Sequence, residues 1–194
     1  LNKFSAVLFL IFLLFNSCST DNDTEIESTN LKAPDEFNSE VVVSWFNLIK
    51  ILTTETPGYT PPVAARAFGY TGVALYESVQ VGMQNKTSLS GKLNGFNLET
   101  NFVDLVEYHW PTVANTTLAN MTKSFYANVS LENYSRILEL ETTFNNKFSG
   151  SNSSEVINRS IVFAKKISDE ILVWASTDGG FGGQFNNFPR FSEA

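Results

Sequence analysis

Thr60-Pro61-Pro62-Val63-Ala64-Ala65-Arg66-Ala67-Phe68-Gly69-Tyr70-Thr71-Gly72-Val73-Ala74-Leu75-Tyr76-Glu77-Ser78 is the stretch on which the fold turns. Thr60 is an N-cap residue type. Pro61 suits the first helical position, where its missing N–H forfeits no hydrogen bond. The spacing predicts a helix that continues to about Met83. Ala65, Gly69, Gly72 and Tyr76 share one of its faces. Each interior glycine costs about 1 kcal/mol relative to alanine. That cost is usually offset by close approach of another backbone, so a packed neighbour is expected at Gly69 and Gly72. Arg66, Tyr70, Val73 and Glu77 form the adjacent stripe. Arg66 and Glu77 are three turns apart, too far to pair along one helix. Each is expected to be a buried structural residue with its partner elsewhere, because buried charges are paired.

Outward from this helix, the remaining segments also follow a helical period rather than strand alternation. Before it, Ser39 to Thr54 presents Val42, Trp45, Phe46, Ile49 and Leu52 on one face. After it, residues 99–109 give a third segment, interrupted by Pro111, which clashes with a preceding helical turn. A fourth helix is predicted from Thr112 to Ala127, with Val113, Leu118, Met121 and Phe125 inward. Ser130 caps a fifth that runs to Phe148, with Leu131, Tyr134, Leu138 and Phe148 as core positions and Glu141 at the edge. A sixth spans Ser154 to Ser176, lined by Ile157, Ile161, Ala164, Ile167, Ile171, Leu172 and Ala175. The expected fold is all-α, a bundle of about six helices over residues 41–180. Residues 181–194 show no regular pattern.

The N-terminus reads as an address. Lys3 precedes an apolar run from Phe4 to Phe15, too short to span a bilayer, where about 20 residues are needed. Residues 1–17 are therefore expected to be a signal peptide. Leu14-Phe15-Asn16-Ser17-Cys18 resembles a bacterial lipobox, which makes Cys18 the expected lipidation site and the lipid bilayer a partner. A free exposed thiol in a secreted protein would otherwise be a liability. Residues 18–40 carry seven acidic side chains against Lys32 alone and bury too little to fold, so they read as a disordered tether. The address that follows is the envelope of a Gram-negative bacterium, an outer-membrane lipoprotein facing the periplasm or the surface.

The 194 residues hold 20 acidic and 13 basic side chains, a net charge of −7. That balance argues against a nucleic-acid partner, which would select a basic face. One cysteine excludes a disulfide framework, and one histidine excludes a two-histidine metal site within these residues. His109, in Glu107-Tyr108-His109-Trp110-Pro111, is read as a structural or capping residue at a helix C-terminus, where a cation is mildly favoured. Asp104 with Glu107, and Glu132 with Glu139, are most simply solvated helix faces. Gly179-Gly180-Phe181-Gly182-Gly183 lacks the lysine and preceding strand of a phosphate loop. The Asn-x-Ser/Thr triplets at Asn115, Asn120, Asn128 and Asn158 read as composition rather than glycosylation.

Trp45-Phe46-Asn47, Thr60 to Tyr70 and Thr71 to Ser78 together resemble the N-terminal helical region of bacterial vanadium-dependent haloperoxidase-like proteins of the PAP2 (type 2 phosphatidic acid phosphatase) superfamily. Trp110-Pro111-Thr112-Val113-Ala114-Asn115 and Trp174-Ala175-Ser176-Thr177-Asp178-Gly179 resemble later landmarks of the same family. The resemblance implies a larger two-bundle helical fold, of which these residues are the N-terminal part. In the family, vanadate or phosphate is held by Lys-x6-Arg-Pro, Ser-Gly-His and Arg-x5-His. None of the three occurs here: Ser90-Gly91 precedes Lys92, and Ser149-Gly150 precedes Ser151. No catalytic or metal-binding residue carries over. The expectation is a scaffold portion, inactive by itself, that continues beyond residue 194 into a C-terminal helical region. That region would bring vanadate, and with it halide oxidation or phosphoester hydrolysis. The alternative is a non-enzymatic helical lipoprotein that binds a glycan or a protein partner.

Overall fold

The computed structural model describes residues 31–99 and 106–186. After a 3-10 turn, Pro34–Glu36, come helices α1 (Glu40–Glu55), α2 (Pro61–Gln80), α3 (Trp110–Phe125), α4 (Leu131–Ser149), α5 (Ser154–Ala175) and the single turn α6 (Gly183–Asn186). The fold is all-α, and no strand occurs among the described residues. The predicted signal peptide, Cys18, Asp104 and residues 187–194 lie outside them.

α3 is the axis of the bundle and touches α1, α2, α4 and α5. Burial runs almost round its circumference, through Val113, Ala114, Leu118, Ala119, Met121 and Phe125. Its polar side chains are used to fix its neighbours. Asn115 is fully buried, accepts a hydrogen bond from Trp45 Nε1 (2.8 Å), and donates to Asn145 Oδ1 (3.0 Å) and the Glu141 carbonyl (3.2 Å). One amide thus joins α1, α3 and α4. It also makes the Asn-x-Ser/Thr triplet at Asn115 an interior element.

Three expectations are corrected here. Residues 106–109 are not helical and Glu99 is not helical, so no third helix reaches His109. Pro111 instead sits in the first turn of α3, where its ring meets no preceding turn. The structure therefore puts His109 at the N-cap of α3 rather than at a helix C-terminus. The second correction is a register shift in α4. Leu131, Tyr134 and Leu138 are 87%, 44% and 39% exposed, while Asn133, Ile137, Phe144 and Phe148 are buried. The inward stripe lies one position earlier than Leu138 because Asn133, a polar residue, belongs to it. Asn133 donates to Glu55 Oε2 on α1 (3.0 Å).

The third correction concerns the glycines of α2. Side chains added at Gly69 and Gly72 would meet nothing within 4 Å. The obligatory glycines lie elsewhere. A Cβ at Gly82 would fall 2.1 Å from the Trp110 ring, and one at Gly58 (φ +91°) would fall 1.9 Å from the Gln184 carbonyl oxygen. Those contacts seat α3 against the end of α2, and α6 against the α1–α2 link.

Candidate functional site

A polar cluster forms where the first half of α2 meets the exit of α5. The helical period puts Arg66 and Tyr70 one turn apart on the side of α2 that faces this exit. α5 ends at Ala175, and Asp178 begins a turn completed by Gly179, which has a left-handed φ of +76°. Arg66 donates from Nε to Asp178 Oδ2 (2.7 Å) and from Nη2 to Oδ1 (3.1 Å). A further Arg66 hydrogen bond reaches the Ala175 carbonyl, one of the unsatisfied acceptors of the helix end. Tyr70 OH donates to Asp178 Oδ2 (3.0 Å), and the Gly180 amide donates to Oδ1 (2.8 Å). The guanidinium lies 5.1 Å from the Tyr70 ring centroid and 5.3 Å from that of Phe125. A side chain at Gly180 would strike the guanidinium, 2.7 Å from Nε.

The electrostatics follow from this arrangement. Partial burial opposes ionisation of Asp178. The hydrogen bonds from Arg66, Gly180 and Tyr70, with the Arg66 charge, outweigh it and hold the carboxyl below its ordinary range. Tyr70 moves the other way: burial and its bond to the Asp178 carboxylate raise its phenol, against the opposing charge of Arg66. The Arg66 and Asp178 side chains retain 15% and 29% of their exposure, so the pair is semi-enclosed rather than sealed.

Beside the pair opens a cavity of about 420 Å³, bounded by Arg66, Ser124, Phe125, Leu172, Phe181 and Gln184. Its size falls within the range of ligand pockets, and its walls are mostly apolar. Phe181 and Phe185 stand 75% and 58% exposed at this end of the molecule.

Glu77 does not join Arg66. It is fully buried farther along α2 and accepts from the Leu89 amide (2.6 Å), Ser88 Oγ (2.8 Å) and Gln80 Nε2 (3.4 Å). These neutral donors pin the 86–98 segment to α2. His109 lies in a third place. Its Nδ1 is 2.8 Å from Thr112 Oγ1, and its ring meets the edges or faces of Phe37 (5.6 Å) and Phe148 (4.9 Å). Burial lowers its pKa, against the raising influence of Glu107. The positive end of α3 also disfavours a proton there. Glu132 is engaged by Arg136 across one turn (2.6 Å), which leaves no carboxylate dyad with Glu139. Glu107 offers its carbonyl to Arg159 (2.9 and 2.7 Å).

Sequence reasoning singled out Arg66 but not its partner. Asp178 is 112 positions away, and no spacing rule reaches that far. The available signal was chemical: an Asp-Gly turn directly after a helix, and an arginine in an otherwise uncharged stretch.

The described residues do not fit a vanadate ion. An oxyanion site needs uncompensated donors and a ligating imidazole. The guanidinium of Arg66 is already bonded to a carboxylate. His109 sits at the opposite end of α3 from Phe125, about 24 Å along a 16-residue helix. No group of three or more His, Cys, Asp or Glu able to hold a metal occurs among the described residues.

No family model matches this sequence, and no curated protein matches it. Among solved structures, the chain is similar to the first bacterial vanadium-dependent iodoperoxidase, with a TM-score of 0.64 and 23% identity. The match covers 79% of this chain and 36% of that one. The chain therefore spans about a third of the length of the structure it resembles. At that identity the likeness is one of fold: a helical, vanadium haloperoxidase-like architecture.

Proposed function

We propose that these residues are the helical scaffold of a vanadium haloperoxidase-like or PAP2-type enzyme, whose oxyanion pocket is built by other residues of a longer protein. The observation that carries this reading is the partial match: most of this chain corresponds to a minor part of a vanadium-dependent iodoperoxidase. The sequence adds the absence of Lys-x6-Arg-Pro, Ser-Gly-His and Arg-x5-His between residues 1 and 194. On this reading the longer protein takes vanadate and oxidises a halide such as iodide with peroxide, or hydrolyses a phosphoester. The scaffold's own residues position and enclose; they donate nothing to the oxyanion. Lipidation at Cys18 would hold the enzyme at the bacterial outer membrane, behind its acidic tether.

The test begins with the coding DNA downstream of the Ala194 codon. The expected result is an open frame containing the three pocket motifs. The purified 194-residue chain is expected to be inactive toward iodide with peroxide and toward a phosphomonoester, while the longer protein is active in one assay. Halide oxidation by the 194-residue chain would sink the proposal. A second reading, a non-enzymatic lipoprotein that binds a glycan or protein, is favoured by one feature: the apolar cavity beside Phe181. A stop codon immediately after Ala194 would turn the case to it.

A further inference from the structure

The Arg66–Asp178 cluster leaves part of its hydrogen-bonding capacity unused. A guanidinium carries more N–H donors than this cluster engages. Arg66 Nε serves Asp178, and Nη2 serves Asp178 and the Ala175 carbonyl. Nη1 makes no hydrogen bond to the described residues. Arg66 lines the cavity of about 420 Å³ together with Ser124 and Gln184, whose side chains are likewise unengaged among the described residues. The rest of the lining is apolar and includes Phe125, Leu172 and Phe181. Phe181 and Phe185, both on this lining, are the most exposed aromatic side chains among the described residues. An apolar cavity with a few polar groups on its wall is the usual make-up of a small-molecule site.

Charge selects the kind of ligand. Asp178 already neutralises Arg66, so the pair presents donors without net positive charge. An anion entering the cavity would lose its hydration among phenylalanines and meet the field of Asp178 with no free countercharge. A pure hydrocarbon would suit the walls but cut the Nη1 donors off from water, which is costly when no acceptor replaces it. An uncharged carbonyl accepts from those donors and is far cheaper to desolvate than a carboxylate. The shape follows from the walls. The guanidinium lies 5.3 Å from the Phe125 ring centroid, and aromatic rings pack on one another in offset or edge-on contacts. We infer that the cavity between α2, α3, α5 and α6 binds an uncharged aromatic carbonyl compound of one or two rings. Its carbonyl accepts from Arg66 Nη1, and its rings lie among Phe125, Leu172 and Phe181. This site is separate from any vanadate pocket and does not depend on the scaffold reading.

The test uses equilibrium dialysis of the 194-residue chain against three probes on one skeleton: 2-acetylnaphthalene, 2-ethylnaphthalene and 2-naphthoate. The ketone is expected to bind at a single saturable site. The hydrocarbon and the carboxylate are each expected to bind about tenfold more weakly, the scale of one hydrogen bond from a charged donor. Equal binding of 2-ethylnaphthalene overturns the inference, because Arg66 then contributes nothing. Equal or tighter binding of 2-naphthoate also overturns it, in favour of an anion site. Two variants locate the site. Ala127 is exposed and lines the cavity, so Ala127→Trp is expected to abolish ketone binding with little change in Tm. Undiminished binding in that variant places the ligand elsewhere and overturns the inference. Arg66→Met is expected to erase the preference for ketone over hydrocarbon while retaining hydrocarbon binding; a preference that survives overturns the role of Nη1. No ketone binding to the unaltered chain overturns the whole. If binding then appears in Phe188→Ser with Phe191→Ser, the occupant is the chain's own tail.

Discussion

His109 and Asp178 give the bundle two separate dependences on pH, each with a sign fixed by its surroundings. The native state favours neutral His109, whose pKa burial among Phe37 and Phe148 lowers. The unfolded chain binds that proton at about pH 6.5. Its contribution to stability is therefore complete above that pH and declines as pH falls toward the lowered native value. Lys147 and Glu40, paired at 2.6 Å, border the same groove. His109→Phe keeps the aromatic contacts and removes the titration. Between pH 7 and 5 its Tm is expected to fall less steeply than that of the unaltered chain, in thermal scans followed by circular dichroism. Asp178 has linkage of the same sign in a lower pH window. Its native pKa is depressed, so its contribution is present above the unfolded value of about 3.9 and lost as pH falls through the native one. Asp178→Asn is expected to cost about 1.5–3 kcal/mol at pH 7, the range for hydrogen bonds to charged groups. The difference from the unaltered chain should narrow in denaturant titrations repeated at lower pH.

Among the elements, α4 shows how a helix can be recognised while its face is misjudged. Ser130 caps it through the Asn133 amide (3.2 Å), and both ends lie close to the sequence expectation. Hydropathy alone preferred Leu131, Tyr134 and Leu138 as inward residues. A polar residue, Asn133, took an interior place because Glu55 supplied an acceptor. The register gives a direct comparison between neighbours in sequence. Ile137→Ala is expected to destabilise by about 2–5 kcal/mol, as buried large-to-small changes do. Leu138→Glu, on the outward side, should stay within about 0.5 kcal/mol. Equilibrium unfolding in urea measures both; equal effects would return α4 to the other register. α2 was misjudged in a different way. Its glycines suggested close approach of another backbone, and no described neighbour approaches them.

Across the whole molecule, sequence legibility followed the range of the interactions involved. The long helices were readable because periodicity, caps and prolines are local signals, and the all-α class came with them. In the 106–109 segment a proline that reads as a helix break serves instead as a first-turn residue of α3. The Arg66–Asp178 cluster was half legible: the lone arginine of α2 was conspicuous, but its partner depends on the packing of α2 against α5. The Asn115 junction left no mark in the pattern, since a buried asparagine resembles an exposed one until its neighbours are known. The cavity was equally hidden, because its walls come from α2, α3, α5 and the turn after Asp178.

The bond between Arg66 and Asp178 also has a kinetic meaning. It closes 112 residues of chain, while most helix contacts form within a few turns. Ordering so long a loop carries an entropic cost that its own contacts offset only once both ends are in place. The two sides of this clasp should therefore come together after the transition state for folding. Arg66→Ala is then expected to leave the refolding rate nearly unchanged and to accelerate unfolding, a φ-value close to zero in stopped-flow measurements. Ile137→Ala, inside the bundle, should slow refolding instead. The exit of α5 would be the last region to lock and the first to open, and the lifetime of the native state would be set there.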